Sequence, residues 1–367
     1  MQYPSTKKDN TIDTYFGKNI ADPYRWLEDD RSVETANWVK EQNATTTQFL
    51  NQIPFRAKIN DDLTAIWNYK KETRPFIEGA YTYYYKNNGL QNQNILFRKE
   101  VNGEEELFLD PNTFSEKGTD SLGFVKFSKD GSLCAYTISE GGSDWNKVIV
   151  LDTHDKSQIG DTLLDVKFSD IAWKGNEGFY YSTYRKPEGS KLSVKTDQHL
   201  LFFHKLNTAQ KDDEIVFGAK ENEKHRYVSG SISSDEKYLE IHGANATSGN
   251  RLFLKNLETD SDIIALTADE LASSHIVESK NGKLYIFTNQ NAPNNKLVVV
   301  DAEKPHIDNW TDLIAETENV LDINKGGKYL FAQYIVDVKS KIFKYNYEGI
   351  LLSEVALPGS GSVHLFQ

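Results

Sequence analysis

The chain has 367 residues, of which 38% are hydrophobic and 26% charged, and its formal net charge is −12. This length fits two domains or one large all-β unit with an appendage, and the composition excludes disordered and fibrous proteins. The acidic excess disfavours nucleic acid and anionic membranes as partners. A single cysteine, Cys134, excludes an internal disulfide and any multi-cysteine metal site, and we expect no cofactor.

The N-terminal segment is predicted to be a helical arm. Met1 is followed by QYPSTKKDN, which lacks the apolar stretch of a secretory signal. Ser32 is a favourable N-cap for a first helix. A second helix is indicated by apolar residues that fall on one stripe, namely Phe55, Ile59, Leu63, Ile66 and Trp67. The sequence therefore predicts two helices within residues 32–67, joined near residues 52–54.

From about residue 68 onward the apolar period changes to two, which is typical of strands. A turn followed by an aromatic-rich strand recurs at Glu78, Asp130, Gly175, Asp235, Asn281 and Gly326. A second strand type recurs at residues 94, 147, 199, 251, 296 and 341. Such self-similarity predicts an all-β β-propeller, because stacked blades bury the two apolar faces that one blade cannot bury alone. The alternative, a large β-sandwich, gives no reason for two strand types to repeat at a near-constant step.

Six blade-like units are visible, and residues 358–367 (PGSGSVHLFQ) look like the opening of a further unit. We therefore predict six to seven blades, the last of them incomplete.

Motifs for chemistry are sparse. The sequence contains no G-x-S-x-G, H-E-x-x-H, P-loop or G-x-G-x-x-G pattern. His199 and His204 flank one predicted strand and point to opposite faces, so we expect them at a surface or sheet edge rather than on a metal. Two polar motifs, GLQNQ at residues 89–93 and GGSDW at residues 141–145, lie between strands. Spacing alone favours side-chain hydrogen bonds to backbone in turns, with a binding role as the alternative.

The order of several motifs resembles the prolyl oligopeptidase family of proline-specific serine endopeptidases. The resemblance covers the whole chain and rests on Tyr3–Pro4, Asp13–Gly17, Asp22–Glu28 (DPYRWLE), Gln42–Asn43, Gly89–Gln93 (GLQNQ), Phe108–Asn112, Ser143–Trp145, Val166–Trp173, Ser248–Phe253 and Asn291–Asp301. It implies an α/β-hydrolase domain with a Ser–Asp–His triad, capped by a seven-bladed propeller that admits only short peptides. It also implies that the N-terminal segment packs on the hydrolase domain and that all catalytic residues follow the propeller.

This chain stops before that point. We therefore expect an arm over residues 1–70, an incomplete propeller of the seven-bladed type over residues 71–367, no catalytic domain and no activity for the chain alone. The resemblance implies that the complete enzyme is cytoplasmic and cleaves short proline-containing peptides after proline. Two alternatives stay open: a non-catalytic propeller that binds peptides or proteins, and a propeller glycosidase, which needs a carboxylate pair that no sequence feature identifies.

The resemblance also assigns roles to individual positions. Asp144 resembles a propeller aspartate that pairs with a substrate-gripping arginine of the hydrolase domain. Phe168 resembles an aromatic residue that lines the pocket for the substrate residue two positions before the scissile proline; an ordinary blade-core position is the alternative. Tyr227 matches a second apolar residue of that pocket. His242 stands where the family carries an arginine of the same ion-pair network, and this departure leaves its role open.

Overall fold

The computed structural model describes residues 2–185, 196–259 and 261–363, so residues 364–367 of the expected further blade lie outside the described residues. The chain divides into two compact units. The first unit comprises Met1–Gly123, Thr137–Lys147 and Arg185–Thr196, and the second unit comprises Phe124–Tyr136, Val148–Tyr184 and Asp197–Gln367.

The N-terminal arm consists of a hairpin and two helices. Strands β1 (Ile12–Tyr15) and β2 (Lys18–Ala21) pair with each other, and they are followed by α1 (Val33–Leu50) and α2 (Arg56–Trp67). The Ser32 hydroxyl accepts a hydrogen bond from the Thr35 backbone N–H at 3.0 Å, which caps the first turn of α1. The two-helix prediction is confirmed. Single 3-10 turns occur at Arg25–Glu28, Pro111–Thr113, Gln210–Asp212, Glu221–Glu223 and Ile307–Asn309.

The first sheet has five strands, not the four expected for a blade. Its strands are β3 (Lys71–Glu72), β4 (Phe76–Glu78), β5 (Tyr81–Asn87), β6 (Ile95–Glu100) and β7 (Glu106–Leu109). Strand β4 pairs with the start of β5 and β3 with its end, so the two short strands share the edge of β5 that β6 leaves open.

Five further sheets have four strands each, and in each of them neighbouring strands of the sheet are also consecutive in the chain. The second sheet contains β8 (Ser121–Phe127), β9 (Leu133–Ser139), β10 (Trp145–Asp152) and β11 (Leu163–Lys167). The third contains β12 (Ala172–Lys174), β13 (Gly178–Tyr184), β14 (His199–Lys205) and β15 (Glu214–Phe217), and the fourth β16 (Tyr227–Ile232), β17 (Tyr238–Ala244), β18 (Arg251–Asn256) and β19 (Ile264–Ala265). The fifth contains β20 (Ser274–Lys280), β21 (Lys283–Thr288), β22 (Lys296–Asp301) and β23 (Thr311–Ile314), and the sixth β24 (Leu321–Gly326), β25 (Tyr329–Val336), β26 (Lys339–Tyr345) and β27 (Leu351–Val355).

The two repeat series of the sequence correspond to the two inner strands of each of the six sheets, β5 and β6 in the first, so the predicted repeat is confirmed. The blade count differs from the expected seven-bladed type. The described residues form six blade sheets, and the sixth is complete with its fourth strand at Leu351–Val355. Residues 356–363 contain no strand, so a seventh blade is not confirmed.

In the second unit, each apolar cluster joins two sheets that are consecutive in the chain. Val148 of β10 packs with Phe179 of β13, and Leu239 of β17 packs with Leu201 of β14. Two further clusters join the fourth sheet to the fifth and the fifth to the sixth. The second to sixth sheets therefore pack in succession against one another, as expected for stacked blades.

Candidate functional site

Two of the residues singled out by sequence lie side by side at the surface of the second unit. Phe168 directly follows β11 and is 47% exposed, and Tyr227 opens β16 and is 38% exposed. Their ring centroids are 6.0 Å apart with planes tilted by 54°. The Lys167 ammonium lies 4.9 Å from the centre of the Phe168 ring. The alternative that Phe168 is a buried core residue is wrong, because about half of its surface is exposed.

A buried aromatic pair supports these exposed rings. The Tyr184 ring meets Phe168 edge to face at 6.3 Å, and its hydroxyl donates to the Arg226 carbonyl at 2.6 Å. The His199 ring stacks on Tyr184 at 4.4 Å. Neither Tyr184 nor His199 was assigned a site role from sequence, since their relation to Phe168 arises only from the folded arrangement of β11, β13, β14 and β16.

The protonation of His199 follows from its partners. The Val228 backbone N–H donates to Nδ1 at 2.9 Å, so Nδ1 carries no proton. Nε2 therefore carries the proton and donates to the Lys167 carbonyl at 2.9 Å. Burial lowers the pKa of His199 to about 4, against the weaker opposing effect of its backbone hydrogen bonds. The ring is neutral near pH 7 and acts as donor and acceptor at once.

The expectation that both histidines of β14 lie at a surface or edge is wrong. His199 is fully buried, and His204 is buried with Nδ1 at 2.8 Å from Asp213 Oδ1. The His199 ring can be buried because polar partners satisfy both of its nitrogens, and Asp213 does the same for Nδ1 of His204. The apolar run Leu200–Phe203 between them is the sequence signal that could have indicated this burial.

Asp144 lies in the first unit, in the turn between β9 and β10. Gly141 and Gly142 have φ values of +60° and +80°, a backbone region that glycine adopts without strain. The Ser143 hydroxyl then accepts from the Trp145 N–H at 3.1 Å. This turn presents Asp144 as an exposed residue at the start of β10. Its pairing with an arginine stays a prediction.

The GLQNQ motif makes side-chain hydrogen bonds to backbone, as its spacing favoured, but only some of them lie within its own turn. The Gln93 amide donates to the Asp120 carbonyl at 2.6 Å and accepts from the Leu122 N–H at 2.9 Å. The Asn87 side chain accepts from the Gly89 N–H at 2.8 Å. All of these contacts join a side chain to a backbone group within the first unit.

His242 pairs with a carboxylate that the sequence did not single out. Its Nε2 lies 2.8 Å from Glu240 Oε1, and Glu240 also accepts from the Ile276 N–H at 2.6 Å and the Ser231 hydroxyl at 2.8 Å. Burial raises the pKa of Glu240, but His242 and these hydrogen bonds outweigh it and hold the pKa below its usual range. Burial lowers the pKa of His242, but Glu240 outweighs it and holds that pKa above its usual range. Through its bond from the Ile276 N–H, Glu240 links the fourth sheet to the fifth.

Within the described ranges, no three histidine, cysteine, aspartate or glutamate side chains group in a way that could hold a metal ion. In the same part of the chain, no helix combines the length and the apolar character needed to cross a membrane.

Comparison with known proteins matches this architecture. A family model described as "Prolyl oligopeptidase, N-terminal beta-propeller domain" covers residues 3–367. Prolyl endopeptidases of Elizabethkingia miricola and Elizabethkingia meningoseptica are 49% and 48% identical over 99% and 100% of this chain. The chain spans 51% and 52% of these two relatives, about half the length of each.

Solved structures agree with the sequence matches. A structure from a study of two prolyl endopeptidases superposes with a TM-score of 0.86 at 25% identity, over 98% of this chain and 54% of that one. Prolyl oligopeptidase B from Galerina marginata, bound to a 35-residue hydrolysis and macrocyclization substrate, superposes with a TM-score of 0.82 at 27% identity, over 98% of this chain and 54% of that one.

Proposed function

The chain belongs to the prolyl oligopeptidase family as its N-terminal β-propeller domain, and we propose that it is the propeller part of a proline-specific serine endopeptidase. The complete enzyme cleaves short peptides after proline in the cytoplasm. An α/β-hydrolase domain supplies a serine nucleophile, a histidine base and an oxyanion hole. The propeller binds part of the peptide and excludes large substrates. Residues 1–70 form the arm that packs on the hydrolase domain, and residues 71–367 form the propeller.

The exposed pair of Phe168 and Tyr227 is the observation that carries the substrate role. Two aromatic rings 6.0 Å apart at the surface offer an apolar contact for one substrate side chain. In this proposal they contact the residue two positions before the scissile proline. Asp144 pairs with an arginine of the hydrolase domain that grips the substrate backbone, which keeps the two domains in register. His242 takes part in the Glu240 pair instead of that network.

Kinetics of the full-length protein test this assignment. Phe168→Ala removes a contact away from the scissile bond, so we expect kcat/KM for long apolar peptides to fall about tenfold, chiefly through KM. Hydrolysis of a minimal proline dipeptide substrate should be nearly unchanged. Leu164→Ala, at a position of similar exposure on β11, is the matched control and should leave kcat/KM for both substrates unchanged.

Equal damage to long and minimal substrates would overturn the pocket assignment. If the full-length protein binds proline-containing peptides but does not hydrolyse them, the alternative of a non-catalytic peptide-binding propeller replaces the enzymatic proposal.

A further inference from the structure

The backbone segments that carry Phe168 and Tyr227 both form a hydrogen bond with the same buried ring, that of His199. His199 Nε2 donates to the carbonyl of Lys167, the residue before Phe168. His199 Nδ1 accepts from the N–H of Val228, the residue after Tyr227. We propose that His199, together with Tyr184, is a positioning element that sets the spacing of the two exposed rings and thereby the preference for an apolar substrate residue. This inference rests on the proposed function of the Phe168–Tyr227 pair.

Phe168 needs such support because of its backbone. Its φ of +55° lies in the left-handed region that bulky residues rarely adopt, and it lies outside β11, so no strand ladder fixes it. A conformation of this kind persists only where the surroundings determine it. The hydrogen bond from His199 holds the preceding carbonyl, and the Tyr184 ring supports the Phe168 ring edge to face at 6.3 Å.

Tyr227 is held on both sides. The Tyr184 hydroxyl donates to the carbonyl of Arg226 at 2.6 Å, and the Val228 N–H donates to His199. Since β11 and β16 belong to different sheets, no backbone ladder sets the distance between the two rings. The stack of His199 on Tyr184 at 4.4 Å bridges this gap.

Both supporting residues are buried, so they do not offer a surface to substrate. They act through Phe168 and Tyr227. The neutral, Nε2-protonated ring is essential to the arrangement, because only this form donates to one segment while it accepts from the other.

Variants of His199 separate the two connections in the full-length protein. His199→Phe keeps an aromatic ring against Tyr184 and removes both hydrogen bonds. His199→Gln is chosen to restore a donor near Nε2, and His199→Asn an acceptor near Nδ1. For His199→Phe we expect kcat/KM for long apolar peptides to fall about tenfold through KM, with a minimal dipeptide substrate nearly unchanged. The Gln and Asn variants should each recover part of the loss.

His204→Phe is the matched control. His204 lies on the same strand, is equally buried and also loses a hydrogen-bonding partner, Asp213, when substituted. It should lower stability at least as much, because the buried Asp213 carboxylate loses a partner, and it should leave the ratio of long-peptide to minimal-substrate kcat/KM unchanged. Should His199→Phe not fold, Tyr184→Phe keeps the ring, removes the hydroxyl that donates to the Arg226 carbonyl and is expected to lower that ratio about threefold.

A double-mutant cycle with Phe168→Ala closes the test. If both single variants lower the ratio and His199→Phe adds nothing in the Phe168→Ala background, the positioning role is supported. If only Phe168→Ala lowers the ratio, positioning by His199 is overturned while the pocket stands. If Phe168→Ala has no effect, the pocket itself is overturned, and a crystal structure of His199→Phe then tests the positioning role. Phe168 and Tyr227 rings that stay 6.0 Å apart would overturn that role, and displaced rings would support it.

Discussion

Two apolar surfaces of the molecule differ in whether other parts of the chain cover them. The sheets of the second unit bury their leucines against neighbouring sheets, and Leu239 has no exposed surface. The stripe along α2 has the same chemistry, but Leu63 is 60% exposed and no residue of α2 is buried. The stacked sheets therefore complete their core from their own repeats, whereas α2 leaves an apolar face of the kind that marks an interface. In our proposal the hydrolase domain covers that face.

A matched pair of leucine truncations gives the largest expected contrast. Leu239→Ala should lower the free energy of unfolding of this chain by about 3 kcal/mol, because it leaves a cavity between two sheets. Leu63→Ala should change it by less than about 0.5 kcal/mol, because the side chain is already exposed. Urea unfolding measures both.

The same Leu63→Ala variant in the full-length protein should weaken the association of the arm with the hydrolase domain, seen as earlier proteolysis within residues 1–70. If Leu63→Ala costs the isolated chain as much as Leu239→Ala, the contrast between the two surfaces does not hold.

The elements that the sequence predicted well are those whose signals are local. Helix spacing located α2, and the recurring aromatic strands located β5, β9, β13 and their counterparts, because alternation and periodicity depend only on near neighbours. The fifth strand of the first sheet was missed because Lys71–Glu72 is too short to carry such a pattern.

The candidate site was only partly accessible to sequence. Phe168 and Tyr227 were singled out by resemblance, but their contact depends on two different sheets. The burial of His199 and His204 was missed because the partners of their ring nitrogens come from other segments, up to 32 positions away along the chain. No pattern within β14 encodes those partners.

The core of the second unit also buries a titratable group, His199, so its stability should depend on pH. His199 has an unfolded pKa near 6.5 and a folded pKa of about 4, so the unfolded state binds more protons between these values. The stabilisation is complete above pH 6.5 and is lost as the pH falls toward 4, by about 2 kcal/mol at pH 5. Urea unfolding between pH 7 and pH 4.5 should show a flatter profile for His199→Phe than for the parent chain. An unchanged slope in His199→Phe would contradict the burial of a neutral ring.

The Glu240–His242 pair should contribute next. His242→Ala leaves the buried Glu240 carboxylate without its cation, and because His242 is itself partly exposed we expect a loss of about 2 kcal/mol. The stabilisation should fade as the pH drops through the lowered pKa of Glu240 and as it rises through the raised pKa of His242. His306→Ala, in an exposed pair with Asp308 at 3.1 Å, is the control and should cost almost nothing.

Asp144 gives the smallest expected effect and tests the first unit's link to a further domain. In the full-length protein, Asp144→Asn keeps the shape of the exposed turn and removes its charge. If the carboxylate pairs with an arginine that holds the substrate backbone, kcat/KM should fall about tenfold, equivalent to about 1.4 kcal/mol. Asp161→Asn removes an exposed carboxylate of the second unit and should leave kcat/KM unchanged. An Asp144→Asn variant with the parent's kcat/KM would show that the turn does not take part in substrate binding, and the apolar face of α2 would then be the remaining candidate contact with the hydrolase domain.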